Sequence, residues 1–264
     1  MLQVALNGGR IKAEHREVPI TAAELARDAL RCKRVGATEV HLHPRAPTGE
    51  ETLDPATVDA TVAEVRSVSG LPVGVSTGAW IEPDPERRVD AVSLWRQPAY
   101  ASVNVHEPGS IAVMTALYGA GIGIEAGVWS PQDAEKLAES GFAGRVVRVL
   151  VEVHEPDAVG ALHRAAAIHD ALNTYGIMAP RLQHGMGEGA WILLRDAAER
   201  GIDSRIGLED VLHSPRGGEA HDNADLVDEA QAIIGRAMLR TVPARLSVPA
   251  PPPPRRFGML PEMG

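Results

Sequence analysis

The sequence predicts an α/β protein folded as a (β/α)8 TIM barrel, and three observations lead to this prediction. Strand-like and helix-like segments alternate along the chain with little between them, as they do in barrels and doubly wound sheets. The chain has 264 residues, close to the ~250 that one barrel commonly occupies. Most predicted strands end on polar or ionisable residues, and barrel enzymes assemble their sites from such strand ends.

A doubly wound sheet is the alternative, because it shows the same alternation of strands and helices. Such sheets often carry a Gly-x-Gly-x-x-Gly turn before the first helix, where backbone amides meet a phosphate. No such motif opens the first helix here, although Gly8 and Gly9 follow the first strand. The barrel is therefore the favoured architecture.

Strands and helices are expected in strict alternation. The strands are expected at Gln3–Asn7, Thr38–His43, Pro72–Thr77, Ala101–Val105, Ile122–Glu125, Arg145–Val153, Arg181–His184 and Ser204–Leu208. The helices are expected at Ala22–Arg34, Pro55–Ser69, Glu86–Arg96, Ser110–Tyr118, Pro131–Ser140, Ala158–Asn173, Ala190–Glu199 and Ala224–Ala237. Thr21 is a good N-cap three residues before Glu24, and Gly36 ends the first helix. Ser130 is the expected N-cap of the fifth helix.

One catalytic barrel domain is expected over residues 1–244, followed by a proline-rich tail over residues 245–264. The run Val248-Pro-Ala-Pro-Pro-Pro-Pro-Arg-Arg-Phe cannot form helix or sheet and is expected to be extended polyproline II. We expect this tail to pack against its own barrel or against a neighbouring subunit.

The composition excludes several classes of protein. A net charge of −9 and the absence of a basic run argue against a nucleic-acid-binding surface. The start MLQVALNGGR has no basic segment followed by a long apolar one, so no secretory signal is expected. No stretch of about 18 apolar residues is present, so no membrane span is expected. Cys32 is the only cysteine, so an intramolecular disulfide is impossible and a reducing cytoplasm is the expected compartment.

Two histidines at the end of the second strand form the most informative motif. His41 and His43 alternate with Val40 and Leu42, and alternation with a period of two is typical of a strand. Both imidazoles therefore leave the same face, with Cβ atoms roughly 6–7 Å apart from the ~3.3 Å rise per residue. That separation suits two ligands of one metal ion such as Zn²⁺. The alternative is an ordinary pair of histidines on a strand.

The eighth strand supplies candidates for the remaining functional groups. Glu209 is an oxygen ligand that would complete a site of two histidines and one carboxylate, because the second and eighth strands of a barrel flank the first. Asp210 is placed to act as a general base, and Arg205 could orient a carboxylate or hold Asp210. A plain buried ion pair is the alternative interpretation of this segment.

Five segments in this order resemble the β-keto acid cleavage enzymes, from about residue 3 to about residue 240. They are Ala5-Leu-Asn-Gly-Gly, Val40-His-Leu-His-Pro-Arg, Ser76-Thr-Gly, Ala101-Ser-Val-Asn and Arg205-Ile-Gly-Leu-Glu-Asp. The best-known activity of that family is 3-keto-5-aminohexanoate cleavage. The resemblance implies a barrel, a Zn²⁺ ion or another divalent metal, and a β-keto acid substrate. It also implies acetyl-CoA as co-substrate, acetoacetate and a new acyl-CoA as products, and a homotetramer.

The resemblance also assigns residues. His41, His43 and Glu209 match the metal ligands, and Arg205 with Asp210 matches the pair that deprotonates the acetyl group. The implied substrate contacts are the hydroxyl of Ser76 or Thr77, a polar group of Ser102 or Asn104, and the carboxylate of Glu125 facing a substrate amino group.

Departures from the family pattern leave the particular β-keto acid open. Ala46 follows Arg45 where the family usually has Asp, and His106 and Glu107 replace less charged residues. Trp80 and Trp129 could wall the substrate pocket or pack over a helix, and Glu152, His154 and His184 could reach the site or serve the fold. The alternative functions are a CoA-independent divalent-metal aldolase or lyase, and a metal-binding barrel without catalysis.

Overall fold

The computed structural model describes residues 1–155 and 157–241 and shows a closed (β/α)8 barrel, as predicted. The strands are β1 Leu2–Ala5, β2 Glu39–Leu42, β3 Val73–Ser76, β4 Tyr100–Asn104, β5 Gly123–Val128, β6 Arg148–Val153, β7 Arg181–Gly185 and β8 Asp203–Ile206. The helices are α1 Ala22–Arg34, α2 Pro55–Ser69, α3 Pro85–Ser93, α4 Ser110–Ala120, α5 Pro131–Glu139, α6 Ala158–Thr174, α7 Gly189–Arg200 and α8 Asn223–Thr241. Each strand pairs in parallel with the next, and β8 closes the sheet against β1.

Local sequence explains where many of these helices begin. The Thr21 side chain accepts a hydrogen bond from the Glu24 amide while the Glu24 carboxylate accepts one from the Thr21 amide, which confirms the predicted capping box. Three other helices, α2, α3 and α5, start with a capping Asp or Ser followed by proline. Proline suits this first position because its missing amide would have no partner inside the helix.

Several strand boundaries differ from the prediction. β1 ends at Ala5 because the chain turns at Gly8, whose φ of 52° lies in the left-handed region. β5 continues past Glu125 to Val128 because the residues that follow Glu125 are small or apolar and keep pairing with β6. The prediction that Glu125 ends the fifth strand is therefore wrong.

The interior of the barrel contains a polar network at its N-terminal end, which we call the floor cluster: Gln3, Glu39, Tyr100, Glu125 and Arg148. The Arg148 guanidinium donates to Glu125 at 2.6 Å and also to Glu39. The Gln3 amide donates to Glu125 at 3.1 Å and to the Tyr100 hydroxyl at 2.9 Å, which links opposite walls of the barrel. These contacts balance buried charges with a buried arginine, as a stable interior requires.

The proline-rich tail predicted for residues 245–264 lies outside the described residues. Within the described part of the chain, no helix is long and apolar enough to cross a membrane.

Candidate metal centre and active site

Three side chains converge at the C-terminal end of the barrel. The Nε2 atoms of His41 and His43 lie 3.1 Å apart. The Glu209 carboxylate lies 3.8 Å from His41 Nε2 through Oε2 and 3.5 Å from His43 Nε2 through Oε1. One ligand atom from each residue lies within 4.8 Å of the others. The structure therefore brings together the residues that the sequence predicts as metal ligands.

The loops after β1 and β8 fix this arrangement. The Asn7 side chain donates to the His43 carbonyl and accepts from the His43 amide, both at 2.9 Å. Gly8 lies directly under Glu209, because a Cβ atom at Gly8 would be 2.3 Å from Glu209 Cγ. The Arg10 side chain also donates to the Glu209 carbonyl at 3.3 Å. The early Leu-Asn-Gly-Gly segment thus supports both the His43 and the Glu209 ligand.

The protonation of the three groups depends on burial and on their neighbours. Burial holds the pKa of His41 well below its usual value, so its imidazole is neutral. Burial also opposes charge on His43, but the Glu209 and Glu51 carboxylates outweigh it and raise the pKa of His43 to about 9. Burial opposes charge on Glu209, yet Arg205 and the two histidines hold its pKa well below the usual value. Glu209 is therefore an anion.

These residues fit a divalent cation. Metal–nitrogen bonds of about 2.0–2.1 Å in a tetrahedral zinc site place neighbouring ligand atoms roughly 3.3 Å apart. The observed separations of 3.1, 3.5 and 3.8 Å are close to that spacing. The Oε2 atom of Glu209 is buried and has no hydrogen-bond partner within residues 1–155 and 157–241. Two imidazoles and a carboxylate are ligands that Zn²⁺ accepts, with open positions left for a substrate.

An arginine–aspartate pair lies beside the three ligands. Arg205 Nη2 donates to Asp210 Oδ1 and to Glu209 Oε1, both at 2.7 Å, and Arg205 Nε lies 3.2 Å from both Asp210 oxygens. Burial opposes the charge of Arg205, but the two carboxylates raise the pKa of its guanidinium above the ordinary value. Arg205 therefore holds Asp210 next to the metal ligands with a fixed orientation.

The sequence left the roles of three residues on β6 and β7 open, and the structure brings them to the same end of the barrel. His184 lies between Asp210 and Glu152, with Nδ1 3.5 Å from Asp210 and Nε2 3.6 Å from Glu152. Glu152 also accepts a hydrogen bond from His154 at 2.9 Å. Burial would raise the pKa of Glu152, but the two histidines lower it, so Glu152 is an anion. Asp210, His184 and Glu152 are thus neighbouring polar side chains at this end of the barrel.

The candidate substrate contacts occupy different positions. Ser76 lies on the inward side of β3, two residues after Gly74, whose missing side chain leaves room for the Tyr100 ring inside the barrel. Thr77 instead uses its hydroxyl to bond the Ser102 carbonyl at 2.7 Å. The Asn104 amide donates to Glu107 at 2.9 Å. Ser76 is therefore better placed than Thr77 to meet a ligand.

Glu125 lies away from this group. It belongs to the floor cluster, where it is fully buried and accepts bonds from Arg148 and Gln3. The predicted position at the end of a strand is wrong because β5 runs three residues further to Val128. An acid in the middle of a strand faces the interior of the barrel rather than its mouth, so we do not retain Glu125 as a substrate contact.

Glu51 is a further residue of the site that the sequence patterns did not predict, and the sequence left the role of Trp80 open. The Glu51 carboxylate bonds His43 Nδ1 and accepts from Trp80 Nε1 at 3.2 Å, and the Trp80 ring stacks on His43 with centroids 6.1 Å apart. Trp80 therefore walls the site. Trp129 packs between His106 and His154, with ring centroids 4.5 and 4.1 Å away. The turn in Pro47-Thr-Gly was the available signal that the chain returns Glu51 to His43.

The fold and the site define a barrel with a candidate metal centre at the mouth formed by its strand ends. A family model described as beta-keto acid cleavage enzyme, BKACE, matches residues 1–172 and 160–244. The chain belongs to the β-keto acid cleavage enzyme family. A comparison with curated proteins finds no match.

Solved structures share the fold. ObcA in its apo form superposes with a TM-score of 0.66, and its binary complex with oxaloacetate superposes with a TM-score of 0.67. Both are 16% identical and cover 83% of this chain, but this chain spans only 62% and 64% of those ObcA chains. A 3-dehydroquinate dehydratase from Geobacillus kaustophilus HTA426 has a TM-score of 0.63 at 11% identity and covers 91% of each chain. At these identities the likeness shows the barrel fold alone.

Proposed function

We propose that this protein is a Zn²⁺-dependent acyltransferase that cleaves a β-keto acid with acetyl-CoA, giving acetoacetate and a new acyl-CoA. The observation that carries the proposal is the convergence of two imidazoles and a carboxylate beside an arginine-held aspartate. Membership of the family supports the reaction class. An ObcA structure described as a ternary complex with a C4-CoA adduct and oxalate supports the use of CoA.

His41, His43 and Glu209 would hold the metal ion. The bound ion would act as a Lewis acid that polarises the ketone of the β-keto acid and favours negative charge on its oxygen. Another divalent metal would supply the same chemistry at this set of ligands.

Asp210 is the proposed base that removes a proton from the acetyl methyl group. The α-proton of a thioester is only weakly acidic, so its removal needs a base that is already oriented. Arg205 supplies that orientation through its bonds to both Asp210 oxygens. Its fixed positive charge beside Asp210 would also stabilise an enolate formed there, because a preorganised charge of this kind lowers the barrier.

The net reaction balances without a covalent intermediate between substrate and enzyme. The acyl group of the β-keto acid leaves its carboxymethyl group and joins CoA, while the acetyl and carboxymethyl groups join as acetoacetate. No net proton is released, so the proton taken up by Asp210 is returned within the cycle. Ser76, together with Ser102 or Asn104, is proposed to contact the β-keto acid. Ser76 lies on β3, which pairs with the strand that carries His41, and Ser102 and Asn104 lie on β4, the next strand round the barrel.

A panel of β-keto acids tests the proposal. The purified protein loaded with zinc is incubated with each acid, with and without acetyl-CoA, and acetoacetate and acyl-CoA are measured by mass spectrometry. Formation of both products only when acetyl-CoA is present is the expected result. Cleavage without acetyl-CoA would instead identify a metal-dependent aldolase or lyase. Zinc binding with no reaction across the panel would identify a metal-binding barrel without catalysis.

The assembly and the compartment are further proposals. We propose a homotetramer, which the family resemblance implies, and light scattering of the purified protein would measure its mass. We propose a cytoplasmic location because the chain has a single cysteine, Cys32, and so cannot form an intramolecular disulfide.

A further inference from the structure

A hairpin-like turn after β2 returns the chain to His43. Arg45 and Glu51 face each other in an isolated antiparallel bridge, and the Ala46 amide donates to the Glu50 carbonyl at 2.8 Å. Gly49 has a φ of 92° at the tip, a conformation that glycine adopts without strain. This turn places the Glu51 carboxylate against the outer nitrogen of His43, eight positions earlier in the chain.

The turn after β3 brings a second side chain to the same carboxylate. The indole Nε1 of Trp80 lies 3.2 Å from both oxygens of Glu51. The Trp80 ring lies nearly parallel to the His43 imidazole, with 25° between their planes. Gly78 makes room for this ring, because a Cβ atom there would lie 2.3 Å from it. Two separate loops thus meet at His43.

The two histidine ligands differ in how they are held. His43 Nδ1 is bound to Glu51, so a proton on Nδ1 leaves the lone pair of Nε2 directed at His41 and Glu209. His41 Nδ1 is buried and has no hydrogen-bond partner within the part of the chain that the structure describes. Only one of the two imidazoles therefore has its tautomer fixed by a neighbouring group.

We propose that Glu51 and Trp80 are positioning residues that fix the His43 tautomer and ring orientation for metal binding. The inference rests on the metal site of the proposed function. A carboxylate that accepts from the outer nitrogen of a ligating histidine raises its basicity, and loss of such a partner typically weakens metal binding 10–100-fold. Trp80 contributes by orienting the carboxylate of Glu51 and by covering one face of the His43 ring.

Zinc affinity measured without substrate tests the proposal directly. The dissociation constant of Zn²⁺ is determined by competition with a chromophoric chelator for the metal-free wild type and for four variants. Glu51→Ala is expected to weaken zinc binding 10–100-fold. Glu51→Gln is expected to recover part of this loss, because its amide oxygen can still accept from Nδ1. Trp80→Phe keeps a ring over His43 but loses one N–H donor, so a loss of about tenfold or less is expected.

Glu50→Ala is the matched control, because Glu50 lies on the same turn with an exposed side chain. It is expected to bind zinc as wild type does. In the zinc-loaded proteins the nitrogen chemical shifts of His43 give a second readout, with a strongly hydrogen-bonded Nδ1–H expected in wild type and a weakly hydrogen-bonded one in Glu51→Ala. Thermal melts of the metal-free proteins check that each variant is folded.

Two results would overturn the inference while leaving the proposed function intact. One is a Glu51→Ala protein that binds zinc as tightly as wild type. The other is a Glu50→Ala protein that loses as much affinity as Glu51→Ala, which would assign the effect to the turn rather than to the carboxylate. A wild-type protein without measurable zinc affinity would instead overturn the metal site itself, and the proposed function with it.

Discussion

The two ends of the barrel interior both contain buried acids, and they differ in what balances the negative charge. In the floor cluster, the Arg148 guanidinium lies between the carboxylates of Glu39 and Glu125. At the mouth, two imidazole nitrogens 3.1 Å apart face the carboxylate of Glu209. The floor balances its acids with one arginine, whereas the mouth contains Arg205 and, in addition, two imidazoles and a carboxylate oxygen, unpartnered within the described residues, that a bound cation would satisfy.

This comparison shows that a buried carboxylate does not by itself indicate a functional site. Glu125 and Glu209 both lie on barrel strands or directly after them and both are ion-paired to arginine. Of these two acids only Glu209 also faces two imidazoles, and its neighbour Asp210 is held by the same arginine, Arg205. The partners of each acid, rather than its burial, separate the structural end of the barrel from the candidate active site.

The largest expected effect is on catalysis at the mouth. Asp210→Asn is expected to lower kcat by about 10²–10⁴-fold, because the amide cannot accept the acetyl proton. Zinc content measured by elemental analysis should stay at the wild-type value, because Asp210 is not among the three ligands. Asp203→Asn, at the start of β8 and at the opposite end of the barrel from Asp210, is the control and should leave kcat unchanged. An Asp210→Asn enzyme with wild-type kcat would exclude Asp210 as the base.

A variant of the floor cluster should lose stability, while its zinc content stays at the wild-type value. Arg148→Met leaves the buried Glu125 and the partly buried Glu39 without their cation, and removing one partner of a buried ion pair costs about 3–5 kcal/mol. The free energy of unfolding in urea measures this cost. Arg145→Met, at an exposed site nearby, should change it by about 1 kcal/mol or less. Loss of zinc from Arg148→Met would show that the two ends are not independent.

A smaller effect is expected in the pH dependence of stability, to which His184 at the mouth should contribute and the floor cluster should not. Burial and Arg205 lower the pKa of His184, but Asp210 and Glu152 outweigh them and raise it to about 8. Because the folded pKa lies above the ordinary value, the stabilisation is complete below about pH 6.5 and is lost as the pH rises through about 8. The shift corresponds to about 2 kcal/mol at 1.36 kcal/mol per pKa unit.

The free energy of unfolding at pH 6 and pH 9, compared between wild type and His184→Gln, measures this contribution. Wild type should lose about 2 kcal/mol more than His184→Gln over this range. The floor should not contribute to the difference, because its carboxylates raise the pKa of Arg148 and keep the guanidinium charged. Equal losses in both proteins would mean that His184 does not carry a proton in the folded state.

Sequence patterns were sufficient to predict the positions of candidate site residues that lie on or close to regular strands. The alternation around His41 and His43 placed both imidazoles on one face, and the barrel order brought the eighth strand next to the first. A charged residue is expected to end a buried strand, and this expectation misplaces Glu125, because the barrel interior accommodates its carboxylate with Arg148. A polar residue within a barrel strand can face the lumen, and sequence alone does not give its depth.

The contacts of Glu51 could not be predicted for a different physical reason. They depend on the paths of two loops, one returning to His43 and the other carrying Trp80 from 29 positions away. Loop conformations follow from turn geometry and from steric room at single glycines such as Gly78, and they have no periodic signal. The ligands were therefore predictable from strands, and the group that orients one of them was not.

Crystals grown with zinc, with anomalous scattering measured at the zinc edge, give the most direct test of the metal centre. We predict one strong peak at the barrel mouth, about 2.0–2.1 Å from Nε2 of His41 and of His43 and about 2.0–2.2 Å from a Glu209 oxygen. The peak should be absent in His41→Ala crystals grown in the same way. Zinc bound elsewhere, or a mouth without zinc in the wild type, would contradict the account.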